Sequence, residues 1–362
     1  MRVDWSVRES ARDDLASIYE LAKRTYGSDP KSISATFTYD HLCWQLLQNP
    51  DGPFRASVAH IGEKLVGFYG VIPAVLYYQG KKVAGSLSLL TMTHPDYQRQ
   101  GILTTLASSL YKQLGEEGVA ITYGFPNENS LPGLIHRLQW THIATLDVYV
   151  RPLNVATVVG VVAKIPFIAP IAGAMLSPLF SRVSSNQQSG FMLRQVTQFD
   201  GRADSLMEAR KGMYVVQRVR DCAYLNWRYV KCPDWQYRIV IAEDKADLLG
   251  YVVLRCMTQF GMSGGMIVDM AALPGRSDVL LALIREAVVL SLEGGMDLVA
   301  CLIHGDTDIV QALRQSWFVK VPSRFGFKKW YFGARLNNGQ LPAEQVNSST
   351  SWFLTFGDDD IL

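Results

Sequence analysis

Two stretches of this chain align without gaps at an offset of 183 residues, the distance from Trp44 to Trp227. The first reads His41-Leu42-Cys43-Trp44, then Pro50, then Leu65-Val66-Gly67-Phe68. The second reads Tyr224-Leu225-Asn226-Trp227, then Pro233, then Leu248-Leu249-Gly250-Tyr251. Further on, Gly118 to Trp140 and Gly295 to Trp317 share one spacing. A period this long exceeds a solenoid repeat and signals a duplicated domain. The constraint is severe: 362 residues are too many for one core of ordinary size, and both halves must take the same fold.

Each half reads alike in outline. An opening strand (Trp5 to Val7; Phe191 to Val196) leads to a helix (Asp13 to Thr25; Ala203 to Met213) and then to a Trp-bearing helix. In the first half, strands follow at Arg55 to His60, Lys64 to Leu76 and Ser86 to Thr93, with Gly62-Glu63-Lys64 and Gln79-Gly80-Lys81 as turns. A strand at Ala120 to Phe125 and a helix near Leu131 to Leu138 close the pattern. The second half repeats it with a strand at Met266 to Ala271, a helix at Asp278 to Leu292, a strand at Leu298 to Ile303 and a helix at Asp308 to Gln315. Meandering strands followed by helices on a mixed, largely antiparallel sheet make an α+β domain, present twice. The boundaries that follow are 1–150, a linker at 151–189, 190–335, and a C-terminal tail at 336–362.

Composition narrows the function. With 48% hydrophobic and 19% charged residues the chain is globular. A formal net charge of +2 leaves no broad footprint for nucleic acid. Five scattered cysteines (Cys43, Cys222, Cys232, Cys256, Cys301), without metal-ligand spacing, read as reduced thiols of a cytoplasmic protein with no metal site. The N-terminus carries no apolar run of signal-peptide length. Residues Leu153 to Phe180 contain one charge, Lys164, but Pro166, Pro170, Pro178, Gly160 and Gly173 break the run into short pieces. A buried or interfacial helical linker is the first reading, and a peripheral membrane contact through 153–180 the second.

The chemistry concentrates in Thr93-His94-Pro95-Asp96-Tyr97-Gln98-Arg99-Gln100-Gly101-Ile102-Leu103. The stretch leaves an apolar strand and enters a helix striped by Ile102, Leu106, Leu110 and Leu114. The first turn of that helix has N–H groups without intrahelical partners, and its dipole favours an anion. Gly101 permits close backbone approach and Arg99 adds a fixed positive charge, so a pyrophosphate is the expected ligand.

Gln98-Arg99-Gln100-Gly101-Ile102-Leu103 resembles the coenzyme-A signature of the GCN5-related N-acetyltransferases: Gln or Arg, two residues, Gly, one residue, then Gly or Ala. The strand before it, His94-Pro95, the helix after it and Asn127-Glu128-Asn129-Ser130 beyond the next strand extend the resemblance. It covers 1–150 well and 190–335 in outline, and is similar to tandem-domain acetyltransferases with a degenerate second domain. It implies an acetyl-CoA or other acyl-CoA co-substrate. Gln98, Arg99, Gln100, Gly101, Ile102, Leu103 and Thr104 would hold the pyrophosphate, and Thr91, Thr93, Asn127 and Asn129 the pantetheine arm. The acceptor implied is the amino group of a small molecule, with an amino sugar of a polysaccharide pathway as one class.

Departures from the family pattern bear on the chemistry. Leu103 stands where a small residue is usual, Gln139 where glycine is usual, and Ile135 where a tyrosine often protonates the leaving thiolate. His136 lies next to Ile135 but about 100° around the helix. The second half replaces the loop with Leu273-Pro274-Gly275-Arg276-Ser277-Asp278, whose acidic residue at the helix start repels a phosphate. Acyl transfer from a thioester needs a neutral amine, an oxyanion donor and a departing thiolate. A backbone N–H on the strand after Leu90 suits the oxyanion. Glu128 is the first candidate base and Tyr123 the second, and the acidic tail Asp358-Asp359-Asp360 is within reach of a cleft between halves. The alternatives are a binding or scaffolding protein on a degenerate transferase fold, and aminoacyl transfer from a charged transfer RNA, which the near-neutral charge disfavours.

Overall fold

The computed structural model describes residues 4–26, 38–157, 190–259, 262–321 and 329–359. Most of the apolar stretch at 153–180, and Asp360, lie outside the described residues. The first half runs β1 (Ser6–Glu9), α1 (Leu15–Tyr26), α2 (Tyr39–Leu47), β2 (Arg55–Ile61), β3 (Lys64–Tyr78), β4 (Lys81–Thr93), α3 (Ile102–Glu116), β5 (Ile121–Gly124), α4 (Leu131–Leu138), β6 (Thr141–Leu146) and β7 (Val148–Pro152). The second runs β8 (Met192–Val196), α5 (Arg202–Arg210), β9 (Val216–Arg218), α6 (Cys222–Tyr229), β10 (Arg238–Asp244), β11 (Asp247–Gln259), β12 (Met262–Ala272), α7 (Ser277–Glu293), β13 (Leu298–His304), α8 (Thr307–Gln315), β14 (Val319–Lys320) and β15 (Trp330–Leu336). Helix α9 (Ala343–Val346) and strand β16 (Trp352–Thr355) end the described chain.

The halves repeat one topology. The first has the strand order β1-β2-β3-β4-β5 and the second β8-β10-β11-β12-β13, each antiparallel except for a parallel last pair. Alternate residues of the strands feed opposite faces. Helices α3 and α4 pack Leu106, Leu110, Leu134 and Leu138 against Val66, Tyr69 and Val71 on one face. On the other, α1, α2, α5 and α6 share a single core that draws on both halves, including Ile18, Trp44, Leu206 and Trp227.

Cutting the chain at 150 and 335 does not divide the sheet. Strand β7 leaves the first half to pair between β13 and β14, and β15 leaves the second to pair between β5 and β6. Each half therefore donates one strand to the other, and neither sheet is complete alone. Residues 336–362, expected as a tail, are also corrected as far as they are described. Strand β16 pairs with both β9 and β13 at the middle of the sheet, and Trp352, Phe353, Phe356, Asp358 and Asp359 are buried. The apolar Trp352-Phe353-Leu354 run has nowhere else to bury its surface.

At the pseudo-symmetry axis the two tryptophans of the repeat meet. Trp44 and Trp227 stack with ring centroids 4.8 Å apart, and each indole N–H donates to the other's backbone carbonyl, at 3.0 and 3.3 Å. Beside them His41 packs between Trp44 and Trp235, with Asp234 Oδ2 3.5 Å from its Nδ1. Among the described residues no helix is long and apolar enough to cross a membrane, and no group of three or more His, Cys, Asp or Glu is placed to hold a metal.

His41 gives the junction a pH dependence. Burial, against the opposing pull of Asp234, lowers its imidazole from 6.5 to about 4. The folded chain keeps it neutral where the unfolded chain takes up a proton, so its contribution is intact above about pH 6.5 and is lost as pH falls toward 4. The melting temperature should drop over that window by the equivalent of about 1–3 kcal/mol. His41→Phe should flatten the drop; an unchanged slope in the variant would exclude this source.

Candidate active site

Strands β4 and β5 run parallel and pair only from Gly85–Ile121 to Leu87–Tyr123. Beyond that rung they separate, leaving a V-shaped opening. Gly124 stands at its mouth, where an added Cβ would lie 3.3 Å from the Ser88 carbonyl and 3.4 Å from the Trp140 ring. Just past the rung, β4 bulges. Phe68 pairs with Met92 and Gly70 with Leu89, so Leu90 and Thr91 together face Tyr69. Leu90 takes a left-handed φ of 48°, a conformation a leucine rarely adopts and a mark of functional backbone. Tyr26 Oη donates to the Thr91 carbonyl at 2.7 Å, bracing the bulge.

The loop expected to hold a pyrophosphate follows. His94 Nδ1 accepts from the Asp96 N–H at 3.3 Å, in a short turn over Pro95–Tyr97. Two left-handed residues, Arg99 (φ 61°) and Gly101 (φ 81°), then turn the chain into α3. Gly101 precedes the helix with no atom within 4 Å of where a Cβ would stand. The N–H groups of Ile102, Leu103 and Thr104 have no intrahelical acceptors, and the first turn carries no acidic residue. Gln98 and Arg99 are exposed beside it, Gln100 half-buried. The cradle fits a pyrophosphate: donors point outward, one cation stands by, and no carboxylate competes. Leu103 is half-buried against the α3 core and stays out of the loop.

Beyond β5 the asparagine loop folds on itself. Asn127 Oδ1 accepts from the N–H groups of Asn129 and Ser130 at 3.0 and 2.9 Å, leaving its amide N–H₂ and the exposed Asn129 side chain facing outward. Glu128 is exposed and accepts from Tyr331 Oη at 3.1 Å, with Lys329 Nζ 3.4 Å away. These partners come from β15 and the residue before it, so a surface ion pair holds the carboxylate. Tyr123 is buried against Phe332 and Trp352. Burial drives its phenol well above the ordinary range, so it stays protonated and suits a donor rather than a base. Ile135 is half-buried, His136 exposed, and Gln139 adopts the left-handed φ of 59° that favours glycine.

The second half keeps the frame but closes the opening. β12 carries an equivalent bulge at Val268, between the Val253–Asp269 and Leu254–Ile267 pairs. At the start of α7 the Arg276 guanidinium holds both oxygens of Asp278, at 2.9 and 2.8 Å, and lowers that carboxyl further. Where a ligand would enter, the chain packs its own C-terminal segment. Arg220 bridges Asp269 and Asp358 at 3.0 and 2.7 Å, Thr355 Oγ1 donates to Asp269 at 3.2 Å, and a Cβ on Gly357 would overlap Tyr229 Oη.

On the α2 face, below the last β4–β5 rung, is a cavity of about 20 Å³, roughly one water. Leu87, Tyr123 and Trp44 from the first half, Arg218 and Trp227 from the second, and Asp359 line it. Arg218 pairs with Asp51 at 2.5 Å. Arg218 lies in no local motif, and the repeat of Trp44 in Trp227 is the sequence signal that brings both halves to this wall.

Comparison with known proteins agrees with this frame. Residues 6–143 match the model of an acetyltransferase (GNAT) domain. None of the curated proteins matches. Among solved structures, an Enterococcus faecalis protein described as a probable N-acyltransferase is 13% identical with a TM-score of 0.64, covering 92% of this chain and 73% of that one. An Anabaena variabilis GCN5-related N-acetyltransferase gives 12% and 0.63 over the same shares. Saccharomyces cerevisiae N-myristoyltransferase with bound myristoyl-CoA gives 14% and 0.61, over 94% and 86%. Residues 6–143 are thus an acetyltransferase (GNAT) domain, whose strand order recurs downstream, and the chain as a whole shares the fold of these solved N-acyltransferases.

Proposed function

We propose that the chain transfers an acetyl group from acetyl-CoA to the amino group of a small acceptor, with the first half as its single working site. The observation that carries this reading is the asymmetry of the repeat: the loop before α3 lacks a carboxylate, while its twin before α7 carries Asp278 and the second V is filled by the C-terminal segment. In this reading the N–H groups around Gln98 to Thr104 receive the pyrophosphate. The β4 edge at Thr91 and Thr93, with Asn127 and Asn129, receives the pantetheine amides. A backbone N–H at the Leu90 bulge meets the thioester oxygen. Positioning supplies much of the rate.

The acyl group reaches through the V toward the cavity under Leu87 and Tyr123. That space is small, which favours acetyl over a long chain. The acceptor presents its amine from the same face, an amino sugar being one class of small molecule that carries one. Asp359 is the carboxylate of the cavity wall and takes the proton of the attacking amine; Glu128, exposed and held by Lys329, is worse placed.

Acetyl-CoA should raise the melting temperature, because a ligand that binds the native state stabilises it. Gly101→Val and Gly275→Val each strain a left-handed glycine, so both should lose about 1 kcal/mol of stability. Only Gly101→Val should abolish the acetyl-CoA shift. No shift in the wild type at millimolar ligand would favour the scaffolding alternative. Asp359→Asn should keep the shift and lower free-thiol release with a panel of amino sugars by roughly a hundredfold. Unchanged turnover would remove Asp359 as the base.

A further inference from the structure

The α3–α4 face of the first half buries a chain of hydroxyls that no step above uses. Trp140 Nε1 donates to Tyr111 Oη at 2.8 Å, Tyr111 Oη lies 2.5 Å from Tyr69 Oη, and Tyr69 Oη lies 2.9 Å from Ser88 Oγ. Tyr69, Tyr111 and Trp140 are buried. An indole N–H only donates, so the Tyr111 oxygen must accept from it. Tyr111 then spends its own hydrogen on Tyr69, and Tyr69 spends its hydrogen on Ser88. Any other arrangement leaves a buried hydroxyl hydrogen without an acceptor, at a cost of about 1–3 kcal/mol. The direction of the whole chain follows from the tryptophan.

Its outlet is Ser88. The Ser88 oxygen accepts from Tyr69, so its own hydrogen points onward, and it has no other partner among the described residues. Ser88 is the first residue of β4 beyond the Leu87–Tyr123 rung, and it is half-buried where its inner neighbours on β4, Ser86 and Leu87, are buried. It therefore stands at the start of the V, two residues before the Leu90 bulge. Burial holds the Tyr69 phenol up to about 12 and pushes Tyr111 well above the ordinary phenol range, so the chain stays protonated. The second half lacks it. Register places Val252 opposite Tyr69's position and Ile267 opposite Ser88's, since Val71 pairs with Ser88 as Leu254 pairs with Ile267. Trp317, the counterpart of Trp140, is half exposed. A network retained only beside the open V is not explained by the fold alone.

We propose that Ser88 is a catalytic residue whose oriented hydroxyl donates a hydrogen bond to the leaving sulfur of the thioester, with Tyr69, Tyr111 and Trp140 as positioning residues that aim it. This rests on the acyl-CoA reading above. The amine nitrogen bonds to the thioester carbon, the C–S bond breaks and its electron pair goes to sulfur. The proton the nitrogen loses on acylation equals the one the thiol gains, so the step balances without a further co-reactant. Ser88 stabilises the charge on sulfur as it develops. It supplies what a tyrosine at the Ile135 position would otherwise provide.

The test uses coenzyme A itself, bound to the full chain, with thiolate ultraviolet absorbance read against pH. A donor aimed at sulfur favours the thiolate, so Ser88→Ala should weaken ionisation of the bound thiol roughly tenfold while leaving the dissociation constant of coenzyme A at alkaline-insensitive pH within about twofold. Tyr69→Phe should give a smaller weakening in the same direction, about threefold, because Ser88 loses its orientation but keeps its hydrogen. Ser88→Thr, which retains the hydroxyl, should restore the wild-type value and controls for folding. Equal thiol ionisation in wild type and Ser88→Ala, with coenzyme A bound to both, would overturn the proposal and leave the function standing. Failure of the wild type to bind coenzyme A would overturn both.

Discussion

Neither half of this chain can complete its own sheet. Strand β7 closes the second half and β15 closes the first, while β16 joins the two at the middle. Every strand lent out leaves unpaired N–H and C=O groups behind, which must be satisfied by the strand received. The exchange therefore makes the halves obligatory partners rather than two domains on a tether. The shared core beneath α1, α2, α5 and α6, and the reciprocal Trp44–Trp227 contact, follow from that closure.

The same closure separates the two copies in form. Both inherit a parallel strand pair that diverges and a bulge at the point of divergence. At the first V, β15 lies along the far edge of β5, and β4 and β5 are unpaired with each other beyond Leu87–Tyr123. The second is filled by the turn after β16, with Arg220 neutralising Asp269 and Asp358. A buried arginine between two carboxylates is tolerated only when its hydrogen bonds are met, and here Thr355 Oγ1 and the Arg218 carbonyl accept the remaining ones, while Tyr229 donates to Asp269. Sealing one site is thus part of how the molecule holds together.

Much of this was legible from residues in order. Strands β2 to β5 and helices α3 and α4 fall within a few residues of the boundaries their alternation, helical stripes and turn glycines predict, and so do β12, α7, β13 and α8. The cradle was legible because its signal is local: Gly101 before an amphipathic helix defines a helix N-terminus within a dozen residues. The loss of the second cradle was local too, in Asp278. What local pattern does not carry is partnership. The segment after residue 335 reads as a polar tail with a short aromatic run, yet Trp352 to Phe356 are buried at the centre. Glu128 reads as a loop carboxylate near the thioester, and its hold by Lys329 and Tyr331 depends on a strand from 200 residues away in sequence.

The sequence by itself determined the duplicated α+β fold, the Gly101 turn into α3 and the acidic start of α7, because periodicity, capping and turn chemistry act over a few residues. Only the tertiary structure decided which half each strand completes, what fills the second V, and how Trp140, Tyr111, Tyr69 and Ser88 line up as one directed chain. Those outcomes are set by hydrogen-bond satisfaction and close packing between residues distant in sequence, and no local pattern encodes them.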